Sequence, residues 1–323
     1  MKLPRRTLLV APLAAPLAIT PAFAQGFPTR PIRLIVTYTP GGGVDGQARM
    51  LARLLAPLLG NASIVVENRP GGATRVGTTE VLRAAPDGHT LVVMPPLAWI
   101  GYFYSGTFDA KVWEQLTPIG QYAETPYNCY QTRAGSGLDS WEKLVAFARA
   151  RPEGLAISGP GAGGLVEFAV RQSLERAGIQ GVYIPFAGSA PAHSALLAGT
   201  VQMQVLPLGD GVAQMRAGAT HLMAHSGPAR FPAAPEVPTF QELGIGDAMV
   251  NTFSLWGPPA LPAPIVERVA EALRQVTLLA EFREFLEVRQ AFQLGFRPAA
   301  QLRADMQAFD ALWGPRLAAA FSR

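Results

Sequence analysis

The chain is poor in several residue types, and each shortage excludes a class of protein. One of its 323 residues is a cysteine, Cys129, so no disulfide can form within the chain and its stability must come from a packed core. Charged residues make up only 15% of the sequence, and the formal net charge is +4. Lys2, Arg5 and Arg6 contribute three of these charges, so residues 25–323 carry a net charge of only +1. Such a balanced charge predicts no nucleic-acid partner.

Catalytic motifs are equally scarce. The sequence has no Gly-x-Ser-x-Gly nucleophile elbow and no Gly-Lys-Ser/Thr phosphate loop. His221 and His225 lie about 13 Å apart on one face of a predicted strand, which is too far for them to bind one metal ion. His89 and His193 are predicted to lie on the solvated surface, and Cys129 to be a small core residue. The sequence therefore predicts no enzyme, no metal site and no cofactor.

Residues 1–24 have the pattern of an export signal. A basic start is followed by an apolar stretch, residues 8–19, which is short and interrupted by Pro12 and Pro16. Such a stretch is a poor membrane anchor, and Ala22-Phe23-Ala24 matches a cleavage site. Because Arg5-Arg6 fits both a general and a twin-arginine signal, the export route stays open. We expect a mature protein that begins at Gln25 and is soluble in the periplasm.

The most informative stretch of the sequence predicts a strand, a glycine turn and a helix in direct succession. Residues 32–38 form an apolar strand pattern that ends in Gly41, Gly42 and Gly43, and an amphipathic helix pattern follows at once. Glycines let the backbone approach a ligand closely, and the first N–H groups of the helix point towards it. Asp45 stands near the predicted helix start. The stretch predicts a site for an anion.

The rest of the chain repeats this arrangement in two units. Strand and helix patterns alternate over residues 63–94, which predicts a parallel, doubly wound sheet. A second unit repeats the strand, glycine turn and helix at residues 155–177. Proline-rich residues 258–264 then lead into two helices, at residues 265–279 and 301–320, which are expected to return to the first unit. We predict one lobe from residues 25–124 plus 251–323 and a second from residues 125–250.

Two features leave alternatives open. Gly41-x-Gly43-x-x-Gly46 and Gly159-x-Gly161-x-x-Gly164 both match a dinucleotide fingerprint, so an exported dinucleotide-dependent oxidoreductase is the alternative function. Pro40 and the predicted export count against it. The aromatic cluster at Trp99, Tyr102, Phe103 and Tyr104 either covers a domain edge or walls a ligand cleft.

Several motifs in the right order resemble a known family. They are Phe27-Pro28-x-Arg30-Pro31-Ile32, Pro40-Gly-Gly-Gly-x-Asp45, Glu67-Asn68-Arg69-Pro70-Gly71, Ala85-Pro86-Asp87-Gly88, Pro185-Phe186-x-Gly188-Ser189-Ala190-Pro191, and Pro235-x-Val237-Pro238-Thr239. Together they resemble the Bug receptors, the TctC-like extracytoplasmic solute-binding proteins of tripartite tricarboxylate transporters. The resemblance covers essentially the whole of residues 25–323.

The resemblance implies an α/β fold of the type II periplasmic binding protein class, with two doubly wound lobes joined by a hinge that the chain crosses twice. It also implies a monomer that captures a small organic carboxylate and delivers it to membrane transporter subunits, although a sensing role remains open. The implied ligand-binding residues are Thr39, Pro40, Gly41, Gly42, Gly43, Val44, Asp45, Pro95, Pro96, Ser158, Gly159, Gly161, Ala162, Gly163, Gly188, Ser189, Ala190 and Leu206.

The chain departs from the family pattern at several of these loops. Pro95-Pro96-Leu97 stands where the family usually has hydroxyl residues and glycine, and Phe186-Ala187-Gly188 stands where it often has Tyr-Lys-Gly. Leu206-Pro207 replaces a common Asp-Asn pair, and Val166-Glu167 replaces a polar residue and histidine. These losses of charge and hydroxyl groups favour a ligand with one carboxylate and an apolar or aromatic body.

Overall fold

The computed structural model describes residues 26–126, 128–289 and 292–322. The predicted signal segment, residues 1–24, lies outside the described residues. The described chain forms two β-sheets, each covered by helices. The first sheet has six strands and the second has five. This arrangement agrees with the two α/β units predicted from the sequence.

The first lobe is built from both ends of the described chain. Its sheet has the order β11-β4-β10-β3-β1-β2, in which β1 pairs in parallel with β2 and β3, as predicted, while β10 runs antiparallel to β3 and β4. The elements of the first pass are β1 (Ile32–Val36), α1 (Gly43–Leu58), β2 (Ile64–Asn68), α2 (Arg75–Leu82), β3 (Thr90–Met94), α3 (Leu97–Tyr104), α4 (Val112–Gln115) and β4 (Thr117–Pro126). Those of the return are β10 (Val250–Gly257), α9 (Ala263–Leu278), α10 (Ala280–Arg283), a π-helical turn (Glu284–Arg289), β11 (Gln293–Pro298) and α11 (Ala299–Phe321).

The second lobe is formed by one continuous part of the chain. Its sheet has the order β7-β6-β8-β5-β9, with β6 parallel to β7 and β8, and β5 antiparallel to β8 and β9. The elements are β5 (Cys129–Arg133), α5 (Trp141–Arg149), β6 (Leu155–Pro160), α6 (Leu165–Ala177), β7 (Gly181–Phe186), α7 (Ser189–Leu197), β8 (Met203–Leu206), α8 (Leu208–Arg216) and β9 (Thr220–His225).

The chain passes between the lobes twice, from β4 to β5 and from β9 to β10. These two passages lie side by side, because Val250 of β10 pairs with Pro126 of β4. The exact lobe boundaries, residues 124/125 and 250/251, remain a prediction.

The core of the first lobe lies on both faces of its sheet. Strand β3 is buried along its whole length, as its continuous apolar sequence predicts. One face is covered by α1 and α9, and the other by a cluster that includes Trp99, Trp113 and Trp256. The Trp99 indole donates a hydrogen bond to Thr78 Oγ1 (3.0 Å), so its polar edge is satisfied within the core.

Two local features differ from the predictions for reasons of tertiary packing. Residues 95–97 were expected to form a loop; Pro95 and Pro96 do so, but α3 begins at Leu97, and most of its residues are buried. His89, predicted to lie on the surface, is only 5% exposed. Its Nε2 accepts a hydrogen bond from the Thr29 N–H (3.1 Å) and its ring packs edge-on against Phe27 (5.2 Å between centroids). Cys129 lies in the core, as predicted, and burial raises the pKa of its thiol.

Candidate functional site: a cleft between the two lobes

Three adjoining cavities run along the cleft in which the lobes face each other. The inner cavity, about 50 Å³, is lined by Tyr38, Gly42, Gly43, Val44, Gln47, Pro95, Ala98, Tyr102, Pro160, Val166, Ser189, Pro207, Asp210, Asn251 and Phe253. The open cavity, about 490 Å³, is lined by Gly41, Gly42, Gly43, Asp45, Gly46, Ser189, Ala190, His193, Ser194, Gln204, Leu206, Asp210, Ala213, Gln214 and Phe285. The side cavity, about 250 Å³, is lined by Thr37, Tyr38, Gly71, Gly72, Ala73, Thr74, Tyr102, Gly161, Ala162, Pro185, Phe186 and Ala187. Each cavity is lined by both lobes.

The predicted glycine turn forms one wall of the inner and open cavities. Gly41 has φ +84°, a left-handed conformation that favours glycine, and it reverses the chain into α1. Helix α1 begins at Gly43, and no side chain caps its N-terminus in the described structure. The first N–H groups of a helix have no partner within the helix. The backbone of Gly43 and Val44 therefore offers hydrogen-bond donors to the cleft.

Asp45 holds this turn in shape. Its carboxylate accepts hydrogen bonds from the Gly41 N–H (3.0 Å), Asn68 Nδ2 (3.0 Å) and Arg49 Nε (3.1 Å). Burial works to raise the pKa of Asp45, but the hydrogen bonds from Arg49, Gly41 and Asn68 together hold the pKa below its ordinary value. Asp45 thus stabilises the turn from within, and the Gly41 N–H already donates its hydrogen bond to Asp45.

The arginines close to this turn are paired with carboxylates and do not line the cavities. Arg49 pairs with Asp45 (3.0 Å), and Arg53 donates a hydrogen bond to Glu281 (3.1 Å). None of the three cavities is lined by a described arginine or lysine. An anion in the inner cavity would therefore have to be held by backbone amides and neutral side chains.

The second lobe contributes its own helix start to the same cleft. Helix α7 begins at Ser189, which lines both the inner and the open cavity, and no described side chain caps it. Ala190 and Leu206 line the open cavity, while Gly161 and Ala162 line the side cavity. The structure thus brings predicted residues of both lobes to the cleft.

Other residues implied by the resemblance have a structural place beside the cleft and do not line the three cavities. Ser158 is fully buried and donates from Oγ to the Ala192 carbonyl (3.2 Å). A methyl group built on Gly159 would come within 2.6 Å of Val205. The Gly163 N–H donates to Glu167 (2.8 Å). Ser158 and Gly159 therefore shape the second lobe behind its cleft surface, whereas Gly163 lies against Ser105 of the first lobe, where a methyl group would come within 2.6 Å.

The remaining predicted residues flank the glycine turn and α3. Thr39 of the first lobe lies against Gly188 of the second, where a methyl group would come within 2.7 Å of Thr39 Oγ1. Pro40 is exposed. Pro95 lines the inner cavity, whereas Pro96 is buried at the start of α3.

Tyr102 settles part of the open question about the aromatic cluster. It lines the inner and side cavities, is hydrogen-bonded to Tyr38, and has a hydroxyl pKa raised by burial. A methyl group on Gly161 would overlap its hydroxyl, so the lobes are in direct contact here. Trp99 is buried in the first lobe, and Tyr104 donates to Asp310 of α11 (3.0 Å). The cluster therefore both walls the cleft and packs the lobe.

Sequence reasoning missed several polar residues of the cleft, among them Asp210 and Asn251. Asp210, in the first turn of α8, faces Gly43, because a methyl group on Gly43 would overlap its carboxylate. Burial raises its pKa to about 7. Asn251 of β10 is 3% exposed and its Oδ1 has no hydrogen-bond partner among the described residues. Neither belongs to a local motif, so no signal in the sequence could have singled them out.

The described residues contain neither a metal-binding cluster nor a membrane-spanning helix. Among residues 26–126, 128–289 and 292–322, no group of three or more His, Cys, Asp or Glu side chains could hold a metal ion. Within the same ranges, no helix is both long and apolar enough to cross a membrane.

Two α/β lobes with two chain crossings and a ligand cleft between them define a type II periplasmic binding fold. Residues 47–306 match the model of the tripartite tricarboxylate transporter family receptor, and the chain belongs to this family. Protein BugT of Bordetella pertussis (strain Tohama I) is 31% identical over 270 residues, which is 81% of this chain and 82% of that protein. The resemblance seen in the sequence is thereby confirmed.

Solved structures agree with this assignment. The periplasmic binding protein BugD superposes with a TM-score of 0.80 at 25% identity, covering 92% of this chain and 98% of that chain. MatC from Rhodopseudomonas palustris, solved with bound malate, superposes with a TM-score of 0.81 at 24% identity, covering 90% of this chain and all of that chain (100%). The protein is therefore a solute-binding receptor. These likenesses give no support to the alternative of a dinucleotide-dependent oxidoreductase.

Proposed function

We propose that this receptor captures a small monocarboxylate with an aliphatic or aromatic body, and delivers it to the membrane subunits of a tripartite tricarboxylate-type transporter. The observation that carries the proposal is the inner cavity, in which uncapped helix starts of both lobes meet without any described arginine or lysine. A helix start attracts an anion, typically by about 0.3–1 kcal/mol and by more when partly buried. Two such starts suit one carboxylate.

The rest of the inner cavity supports an apolar ligand body. Pro95, Ala98, Val166 and Phe253 line it, together with the aromatic face of Tyr102. Each further carboxylate on a ligand would have to leave water without a cation to receive it, which is costly. A ligand with one carboxylate therefore fits this cleft better than citrate does.

Family membership and the fold support a periplasmic location and a transporter partner. MatC, a protein of the same fold, was solved with malate, a small organic carboxylate. We propose that residues 1–24 direct export and that the mature receptor acts as a monomer. Cell fractionation of the full chain and N-terminal sequencing of the product test the location and the cleavage after Ala24, and sedimentation tests the oligomeric state.

A calorimetric panel tests the ligand class. The purified protein is titrated with aliphatic and aromatic monocarboxylates, with malate, and with citrate. We expect a monocarboxylate to bind at least tenfold more tightly than citrate, a difference of about 1.4 kcal/mol. Tightest binding by citrate would refute the proposed ligand class. Uptake of the labelled ligand by cells with and without the receptor then tests its delivery to a transporter.

A further inference from the structure

Asp210 belongs to the second lobe, but its carboxylate faces the first. It is the third residue of α8 and lines both the inner and the open cavity. A methyl group built on Gly43, the first residue of α1, would overlap the carboxylate. The side chain therefore lies inside the cleft, at the place where the ligand is expected.

The carboxylate of Asp210 has no partner in the described structure. The described residues provide it with no hydrogen bond and no ion pair, and the cavities that it lines contain no described arginine or lysine. Burial alone raises its pKa to about 7. The other carboxylate of the open cavity, Asp45, is already satisfied by Arg49, Asn68 and the turn. The side chain of Asp210 is partly exposed to the cleft and has no donor of its own, so its carboxylate can accept a hydrogen bond from a ligand.

Asn251 is a second acceptor without a donor in the same inner cavity. It is 3% exposed, and its Oδ1 has no hydrogen-bond partner among the described residues. It stands on β10, in the first lobe, so the two acceptors come from different parts of the chain. A simple carboxylic acid anion offers only acceptors and cannot satisfy either group while Asp210 is ionised. A primary ammonium group offers three donors and no acceptor.

From these two unsatisfied acceptors we infer that Asp210 selects a ligand with a primary ammonium group close to its carboxylate, such as an amino acid with an apolar side chain. The amides at the start of α1 receive the ligand carboxylate, while Asp210 and Asn251 accept hydrogen bonds from the ammonium group. The inference rests on the proposed carboxylate-receptor function and narrows its ligand class. It also makes Asp210 a specificity-determining residue that repels a second carboxylate on the ligand.

Matched ligand pairs test the inference. Phenylalanine is compared with 3-phenylpropionate, leucine with 4-methylpentanoate, and 3-aminopropanoate with propanoate, by calorimetry at pH 8. In the unmodified protein we expect the amine-bearing member of the tightest pair to bind at least tenfold better. In Asp210→Asn this preference should fall below threefold. Asp139→Asn, the same substitution at an exposed position of the second lobe that pairs with Lys143, should keep the full preference.

Circular dichroism establishes that each variant is folded, and Asp210→Ser replaces Asp210→Asn if the latter is not. Equal or tighter binding of the amine-free member by the unmodified protein would overturn the inference while leaving a carboxylate receptor intact. The same holds if the preference survives in the folded Asp210 variant. If no carboxylate of either kind, nor malate or citrate, binds, the proposed function fails and the inference falls with it.

Discussion

Gly42→Val tests whether backbone amides, and not an arginine, hold the ligand carboxylate. Gly42 precedes α1 and lines the inner and open cavities. Its φ of −85° is open to any residue, and a methyl group built on it would meet nothing closer than the Thr39 carbonyl at 3.9 Å. A valine is therefore expected to leave the fold intact while its side chain crowds the anion site.

The magnitude follows from the hydrogen bonds that the crowding removes. A hydrogen bond to a charged group is worth about 1.5–3 kcal/mol, so displacing the carboxylate from one amide should weaken binding at least tenfold. Arg49→Ala should change affinity by less than about threefold, since Arg49 lines none of the three cavities and the hydrogen bonds from Gly41 and Asn68 to Asp45 remain. The difference in affinity loss between Gly42→Val and Arg49→Ala decides whether amides or an arginine hold the ligand carboxylate.

The assay is calorimetry with the tightest carboxylate of the ligand panel, after circular dichroism and thermal unfolding of each variant. Gly295→Val is the matched control, because Gly295 is exposed on β11, has no atom within 4 Å of an added methyl group, and lines none of the three cavities. It should bind the ligand as the unmodified protein does. The opposite order, in which folded Arg49→Ala loses affinity and folded Gly42→Val keeps it, would refute the amide site.

Two further predictions concern lobe motion and stability. Ligand binding should reduce the radius of gyration measured by small-angle scattering. Gly101→Val should prevent much of this reduction, because a methyl group on Gly101 of α3 would come within 2.5 Å of the Leu165 backbone of α6. A liganded variant as compact as the liganded unmodified protein would contradict this. Burial lowers the pKa of His225 from its ordinary value of 6.5 to about 4, so between these pH values the unfolded state binds more protons and stability falls as the pH falls. Between pH 7 and pH 5, His225 should lower the free energy of unfolding by about 1–2 kcal/mol. Urea unfolding at both pH values measures this loss in the unmodified protein and in His225→Gln, which should lack it. An identical pH dependence of the two proteins would disprove the prediction.

Local patterns predicted those elements whose sequence alone determines them. The strand, glycine turn and helix of residues 32–58 were visible because an apolar strand, three glycines and an amphipathic stripe follow one another directly. The same signals identified β6 and α6 in the second lobe. In both cases the periodicity and the glycines lie within one short segment, so no distant contact was needed to interpret them.

What could not be predicted depends on contacts between distant segments. Helix α3 is apolar on all sides because it is packed between the first lobe and α6, and such a segment has no helical periodicity to detect. His89 is buried by Phe27 and Thr29, some sixty residues earlier in the chain, as the Thr29 hydrogen bond shows. Asp210 resembles any acidic residue in the first turn of a helix, and only the approach of the two lobes places it against Gly43.

The proposed site separates affinity from selectivity. The amides at the starts of α1 and α7 depend on backbone conformation, so we expect them to hold the carboxylate of many different ligands with little regard to the rest of the molecule. Selectivity must then come from the few side chains that line the inner cavity. Among these, Asn251 has a buried Oδ1 without a described donor, the Asp210 carboxylate faces Gly43, and Tyr102 is an aromatic lining residue. If the ligand donates to both Asp210 and Asn251, as we propose, its binding bridges the two lobes, and the same side chains would couple recognition to closure.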